Sequence, residues 1–306
     1  MTRLVWTIGS GGLIGSAVAR ESDCPFAGAR VPWGDTTASL ASLSASLREF
    51  AREAQGPWAI VWAAGAATVS ASEKEAEAEA SVFRTFAHAV ASSPLNSRGV
   101  VVLVSSAGGI HAGSPSPPFD EATPPSPISP YGRARLAQER AATELLGDRW
   151  PVVLARVSNV YGPGQDLTKL QGLVSRLALC SLTREPLNLF VPLATVRDYI
   201  YVDDVASLIH AWIDEEADTS TGARVRVIAS GEGTSIGQLV RTAQDVGHRK
   251  VPIAMGTHPS ATGQAPDLRF VPSLTQSRSA LPLTTIPIGV KRVFDDLLRR
   301  IEGVLT

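Results

Sequence analysis

Apolar and polar positions along the chain fall into short β-rich runs that alternate with longer stretches of helical period. Leu4 to Ile8 reads as a buried strand, and after a cluster of glycines a helix is expected from about Leu13 to Arg20. A second short strand is expected at about Arg30 to Trp33, ahead of Asp35 and Thr36, residue types that cap helices. Leu40, Leu43, Leu47 and Phe50 then recur at spacings of three and four, one face of a helix. Pro57 resets the chain, and Trp58 to Ala63 is another apolar strand. Glu73 to Ala91 has a helical period with a charged start and Phe83, Phe86 and Val90 as its buried stripe. Val100 to Val104 is an unbroken aliphatic run, the pattern of a central parallel strand covered on both faces. Such alternation implies a parallel sheet with right-handed crossovers.

Seven prolines between Ser114 and Pro130 exclude both helix and central strand, so this stretch is an irregular surface loop. It gives way to a helix from Tyr131 to about Leu146, stopped at Gly147, and then to a strand at Val152 to Val157. Later come a helix at Leu170 to Leu182, a strand at Leu187 to Val191 and a helix from Val205 to about Asp214. Val225 to Ile228 and Val251 to Ala254 read as strands with a helix between them. The last helix carries Val290, Val293, Phe294, Leu297, Leu298 and Ile301 on one face. No internal repeat is visible, and no linker divides the chain cleanly.

Composition narrows the function classes. With 28 Lys and Arg against 29 Asp and Glu, nothing marks a nucleic-acid binder or a membrane-surface protein. The longest apolar stretch, Trp58 to Val69, is about half of what a membrane-crossing helix needs. The amino-terminal MTRLVWTIGS has no signal-peptide core, so a cytoplasmic protein is expected. Two cysteines, Cys24 and Cys180, make no disulfide framework and lack metal-ligand spacing; no metal is expected.

The chemistry begins at Gly9, Gly12 and Gly15 in I-G-S-G-G-L-I-G-S, which follow a strand and open a helix. The first glycine makes the tight turn, the second lets backbone approach a pyrophosphate, and the third lets helix pack on strand. The helix N-terminus then offers free N–H groups and partial positive charge to the phosphates. The acidic residue for the adenosine ribose should come near the end of the second strand, where only Asp35 is available. Asp35 either meets the ribose or adenine or only caps the following helix. Arg30 is the alternative, suited to a 2′-phosphate. The balance favours NAD over NADP.

Five motifs in order resemble the NAD-dependent epimerase/dehydratase family, the extended short-chain dehydrogenase/reductases. They are I-G-S-G-G-L-I-G, V-S-S-A-G-G, S-P-Y-G-R-A-R, R-V-S-N-V-Y-G-P-G-Q and R-D-Y-I-Y-V-D-D-V-A, between residue 8 and about 206. The resemblance implies an α/β fold: a Rossmann-type doubly wound parallel sheet with a smaller, interwoven C-terminal substrate domain. Residues 1–158, with returning segments at about 196–230, would bind NAD(P), and residues 159–306 would form the substrate domain. It adds Leu13, Ile14, Ala63, Ala64 and Gly65 to the cofactor contacts, together with Tyr131 and Arg135. It also implies a nucleotide-diphosphate sugar as substrate and a homodimer packed through the helices at Glu73 to Ala91 and Tyr131 to Leu146.

In that family a Ser or Thr, a Tyr and a Lys carry the reaction, the last two as Y-x-x-x-K on a helix. Tyr acts as the base while NAD takes a hydride. A free tyrosine titrates near pH 10, so its ionisation at neutrality requires about 4 kcal/mol of stabilisation, which a cation one helical turn away helps to supply. Tyr131 stands at the tyrosine position, but the lysine position is Arg135. Arginine keeps the charge and can bond a ribose, yet its pKa is too high to pass a proton onward. Ala107 stands where the hydroxyl belongs, and Ser105 and Ser106 just upstream are the substitutes at hand. His111 falls at the tyrosine of the family's Tyr-Gly pair, as a site acid or base or as a structural histidine.

On the substrate side the resemblance assigns Asn159 to the sugar phosphate and Arg197 to the diphosphate. Arg197 is alternatively a bridge to Asp198 or Asp203. A second diphosphate arginine is replaced by Gln264, with Arg269 nearby. The expected activity is a 4-epimerase; Gly108-Gly109 in place of an Asp-Glu pair counts against dehydration. The alternatives are a cofactor-binding protein of little turnover and an NADPH-dependent carbonyl reductase.

Overall fold

A computed structural model of the chain describes residues 2–65, 67–68, 70–168, 172–256, 264–273 and 282–305. In chain order it runs β1 (Leu4–Ile8), α1 (Leu13–Glu21), α2 (Thr36–Glu53), β2 (Trp58–Trp62), α3 (Glu73–Ala91) and β3 (Gly99–Ser106). The short helix α4 (Ala107–His111), α5 (Pro130–Leu146) and β4 (Pro151–Val157) follow. Next come β5 (Asn159–Tyr161), α6 (Leu173–Thr183), β6 (Leu187–Leu189), β7 (Val196–Tyr201), α7 (Val202–Glu216) and β8 (Gly222–Ile228). The chain closes with β9 (Gly233–Ser235), α8 (Ile236–Gly247), β10 (Ile253–Met255), β11 (Asp267–Leu268) and α9 (Ile286–Leu305).

The strands β1, β2, β3, β4 and β8 form one five-stranded sheet in that order, parallel throughout. Alternation along β3 feeds two cores, as a strand with both faces covered requires. Val101 and Leu103 share one with Phe50 of α2, Phe83 and Phe86 of α3 and Ala142 of α5. Val100, Val102 and Val104 share the other with Val18 of α1 and Ile209 and Trp212 of α7. This is the expected doubly wound sheet. After β4 the chain builds a second layer: β11, β7 and β5 in a small sheet with β9, the pair β6 and β10, and α6, α8 and α9 around a third core. Helix α7 and strand β8 return to the large sheet in the middle of that excursion.

Local chemistry sets the helix starts that matter here. Ser72 and Glu75 form a capping box on α3, each side chain meeting the other's backbone N–H. Ser129 accepts from the Gly132 N–H, with Pro130 at the first helical position of α5.

Two expectations require correction, and one strand was not expected. No strand forms at Arg30 to Trp33; what lies beside β1 is a single bridge, Val5 to Pro25, with Val5 donating to the Cys24 carbonyl and accepting from Phe26. Gly28, Pro32 and Gly34 break the run before a ladder can extend. Leu298 and Ile301 of α9 are exposed at 40% and 36%, so the buried stripe ends at Leu297. R-D-Y-I-Y, which has no expected element in the sequence pattern, is the body of β7. The sixth helix begins at Leu173; Leu170, its expected first residue, lies outside the described residues, as does Val69.

Candidate active site

The turn after β1 is built on close approach. Gly9 has φ +92, and a Cβ on it would lie 2.7 Å from the Ala64 nitrogen. A Cβ on Gly15 would lie 2.2 Å from the Gly9 oxygen, so α1 can start against the turn only with glycine there. Gly12 N–H donates to Gly9 (2.9 Å), and Ala63 N–H donates to Ile8 (2.9 Å), locking the ends of β1 and β2 together. Gly12 caps α1 without any side-chain hydrogen bond, which leaves the first-turn N–H groups, at Leu13 and Ile14, free of a side-chain cap. A dinucleotide phosphate fits this cradle, and any side chain at position 9 or 15 would fill it. Asp35 resolves as a helix cap: its carboxylate accepts from Ala38 N–H at 3.0 Å. Trp33 stands next to it, 38% exposed and edge-on to Trp62 at 5.9 Å.

Tyr131 opens α5. A Cβ on Gly109 would meet its ring at 2.9 Å and the Ser106 hydroxyl at 3.2 Å, so Ser106 and Tyr131 border the same small space. Ser106 also caps α4 by accepting from Gly109 N–H at 3.1 Å. The Arg135 guanidinium carbon lies 5.1 Å from the Tyr131 ring centroid. Arg135 is buried, paired to Glu79 of α3 at 3.0 Å and bonded to Gln138 at 3.0 Å. Burial favours its neutral form, but the neighbouring Tyr131 and Glu79 hold its pKa above the usual arginine value. Ser105 is buried and its hydroxyl makes no hydrogen bond.

Two expected site residues lie in the interior instead. Ala107 is fully buried in a cluster with Phe119, Val227, Leu268 and Phe270, so it presents no surface to a substrate. His111 is fully buried, stacked on Phe119 at 5.5 Å, with Nε2 3.1 Å from Arg156 and Nδ1 3.3 Å from the Ser114 hydroxyl. Burial first, then the Arg156 charge, pushes its pKa down to about 4 against a weak pull from Asp120. A neutral ring accepting from Arg156 fits this geometry. Arg156 is in turn held by Glu139 at 2.8 Å.

The Asn159 amide donates to the Asp198 carbonyl at 3.0 Å. Arg197 is buried, donating to its neighbour Val196 at 2.8 Å and to Gln264 at 3.4 Å, and burial lowers its pKa. The Asp198 carboxylate is held by Ser158 and by the Ser230 and Gly231 N–H groups, and Asp203 pairs with Arg20. Arg269 turns its fork onto Asp267 at 2.8 Å. No cluster of His, Cys, Asp and Glu among the described residues could hold a metal ion, and no described helix is long and apolar enough to cross a membrane.

The sequence profile of the NAD dependent epimerase/dehydratase family matches residues 7–227, well over half of the chain. The chain belongs to that family. Among curated proteins, dTDP-L-rhamnose 4-epimerase of Burkholderia thailandensis is 34% identical over 121 residues, 39% of this chain and 32% of that protein. UDP-glucose 4-epimerase 4 of Oryza sativa is 27% identical over 171 residues, 51% of this chain and 46% of that protein. The chain thus matches less than half the length of either relative. Among solved structures, the UDP-glucose 4-epimerase of Thermus thermophilus in complex with NAD superposes with a TM-score of 0.77 at 21% identity, covering 97% of this chain and 99% of that one.

Against the family's pattern, the epimerase/dehydratase fold here keeps the glycine turn and the tyrosine and rebuilds what surrounds them. Glu79 and Gln138 around Arg135, and separately Glu139 with Arg156 beside His111, are polar partners that the sequence does not announce. Glu79 looks like one more acid in the run E-K-E-A-E-A-E-A. Its one distinguishing signal is position, beside the Ala76, Ala80 and Phe83 stripe of α3.

Proposed function

We propose that this protein is an NAD-dependent nucleotide-sugar epimerase that oxidises and re-reduces one sugar carbon, C4 by family resemblance. The observation that carries this is the juxtaposition of Tyr131 with Ser106 and Arg135 on a chain whose cofactor turn is intact. Gly9, Gly12, Leu13, Ile14 and Gly15 would hold the pyrophosphate, and Ala63, Ala64 and Gly65 would line the cofactor's path toward Arg135. NAD, when bound, supplies a hydride acceptor that returns what it takes. Tyr131 takes the proton of the sugar hydroxyl at its phenolic oxygen and gives it back after the keto-sugar has turned. Arg135 steadies the phenolate, and Ser106 donates to the sugar oxygen in place of the missing hydroxyl at Ala107. Asn159 and Arg197 orient the nucleotide-sugar phosphate. In this reading residues 1–158 with about 196–230 serve the cofactor and the rest of 159–306 the substrate. The protein works in the cytoplasm as a homodimer packed through α3 and α5, which sedimentation velocity tests directly.

The activity test is incubation with UDP-glucose, UDP-N-acetylglucosamine and GDP-mannose, followed by NMR. One sugar should convert to its epimer, and Tyr131→Phe should slow the conversion by about 10²–10⁴. Unchanged spectra for a broad sugar panel would overturn the epimerase. A second reading, a cofactor-binding protein of little turnover, draws on Ala107 in the interior and Glu79 on Arg135. Unchanged spectra together with tight NAD binding would favour it.

A further inference from the structure

Where the sequence suggests a second strand, the chain forms an arm that α2 holds in place. Three serines at spacings of three and four on α2 take up its backbone. Ser39 Oγ donates to the Pro32 carbonyl at 2.9 Å, Ser42 Oγ donates to Arg30 at 3.2 Å, and Ser46 Oγ accepts from Ala29 N–H at 3.0 Å. Val31 packs against the core shared by α2 and α3. The arm leads to Trp33, whose ring meets that of Trp62 at 81° and 5.9 Å. Trp62 is buried, as are Trp6, Trp58, Trp150 and Trp212, whereas Trp33 stays 38% exposed. Trp62 is the last residue of β2, and the residues after it are seated on the glycine turn: a Cβ on Gly9 would lie 2.7 Å from the Ala64 nitrogen. A flat ring is thus fixed, open to water, beside the phosphate cradle. Asp35, two residues on, turns its carboxylate away onto Ala38 N–H of its own helix at 3.0 Å.

We propose that Trp33 binds the adenine of the dinucleotide by stacking, and that this contact replaces the bond an acidic residue would make to the adenosine ribose. This rests on the cofactor reading above. Tyr131 borders Ser106 at the end of β3, which lies two strands from β1 and so to one side of the glycine turn. A dinucleotide with its pyrophosphate in the turn and its nicotinamide toward Tyr131 extends its adenosine the other way. Residues 25–35 are what the adenosine meets there, since the arm leaves the β1 border at Pro25 and reaches the end of β2 at Trp33. Adenine is a flat π-system, and an indole that the arm has already fixed stacks on it without first having to be ordered. The Asp35 carboxylate is occupied by the α2 cap, so recognition passes from a charged hydrogen bond to an aromatic contact.

The experiment pairs equilibrium calorimetry with tryptophan emission on the full chain, using NAD⁺ and ADP-ribose, which carries the adenine half without nicotinamide. Trp33→Ala should weaken both ligands by about tenfold or more, the usual size of a base–aromatic stack, and Trp33→Phe should recover most of that loss. ADP-ribose should lower the emission of the parent and leave that of Trp33→Phe unchanged, because the other five tryptophans are buried. A ring that only covered Trp62 would give no such difference. Asp35→Asn keeps the cap and removes the charge, so it should leave both affinities where the parent has them. Undiminished binding in Trp33→Ala, or the same emission response in the parent and Trp33→Phe, overturns the proposal while the cofactor reading stands. A loss of about tenfold in Asp35→Asn, as a broken charged hydrogen bond to the ribose would give, does so too. Should Trp33→Ala fail to fold, the emission comparison decides: a fall in the parent alone supports the stack, and any other pattern overturns it. A parent protein that binds neither ligand overturns both readings.

Discussion

Removing one partner of a buried ion pair strands the other, and Glu139 with Arg156 is the pair here where that cost is highest. Both are all but excluded from solvent, and Arg156 also donates toward His111. Glu139→Gln should destabilise the fold by about 3–5 kcal/mol in urea unfolding, because an uncompensated guanidinium remains inside. His111 adds a pH dependence whose sign follows from its lowered pKa. Between pH 6.5 and about 4 the unfolded chain binds a proton there that the folded chain refuses. The stability it contributes is therefore complete above pH 6.5 and is lost as the pH falls through that window, by about 2–3 kcal/mol. Unfolding measured on both sides of the window should show this loss in the parent and a smaller one in His111→Gln. Tyr131 and the three glycines are legible in the sequence because their immediate neighbours set their roles. Arg135 is legible as a cation, but its ion pair is not: Glu79 sits far away in sequence among acids that look alike.

The same contrast holds among the elements. Helices with caps and a clean stripe, such as α3, read directly from the chain, and α3 begins and ends where its pattern says. Phe83 there packs on Trp62 at 5.1 Å and lies one turn beyond Glu79. Phe83→Ala should cost about 3–5 kcal/mol, measured by denaturant unfolding. The segment from Arg30 to Trp33 misleads because Val31 and Trp33 carry strand preference, while strand formation needs a partner. Its backbone is taken up locally instead: Trp33 N–H donates to Val31 and Asp35 N–H to Pro32. The strand β7 is hidden for the opposite reason. R-D-Y-I-Y mixes charge with aromatics because Arg197 and Asp198 are buried and satisfied by other elements, which no alternation rule anticipates.

For the whole molecule, the cofactor turn couples binding to folding, since it exists only where β1, β2 and α1 are assembled. On the cofactor reading, NAD at a hundredfold excess over its Kd should add about 2.7 kcal/mol to stability. Gly15→Ala, whose new carbon would overlap the Gly9 oxygen, should both lower the melting temperature and abolish that gain, as calorimetric scans would show. A parallel sheet with crossover helices was legible from alternation, and the doubly wound layout from the family resemblance. The return of α7 and β8 to the large sheet was legible only through that resemblance, because it depends on partners far apart in the chain.

The lone Pro25 bridge that replaces a strand beside β1 has a consequence for association. Val5 has spent both its outward backbone groups, and proline has no N–H to pass on. At the other side of the sheet, Val227 N–H donates to the Ser273 hydroxyl and the Val227 carbonyl accepts from the Ser273 N–H. One outward position on each border strand, Val5 and Val227, is thus taken, which interrupts the template for cross-molecular β-extension there. Self-association is thereby steered toward helical faces, and crowding or partial heating should yield helix-packed oligomers before it yields fibrils.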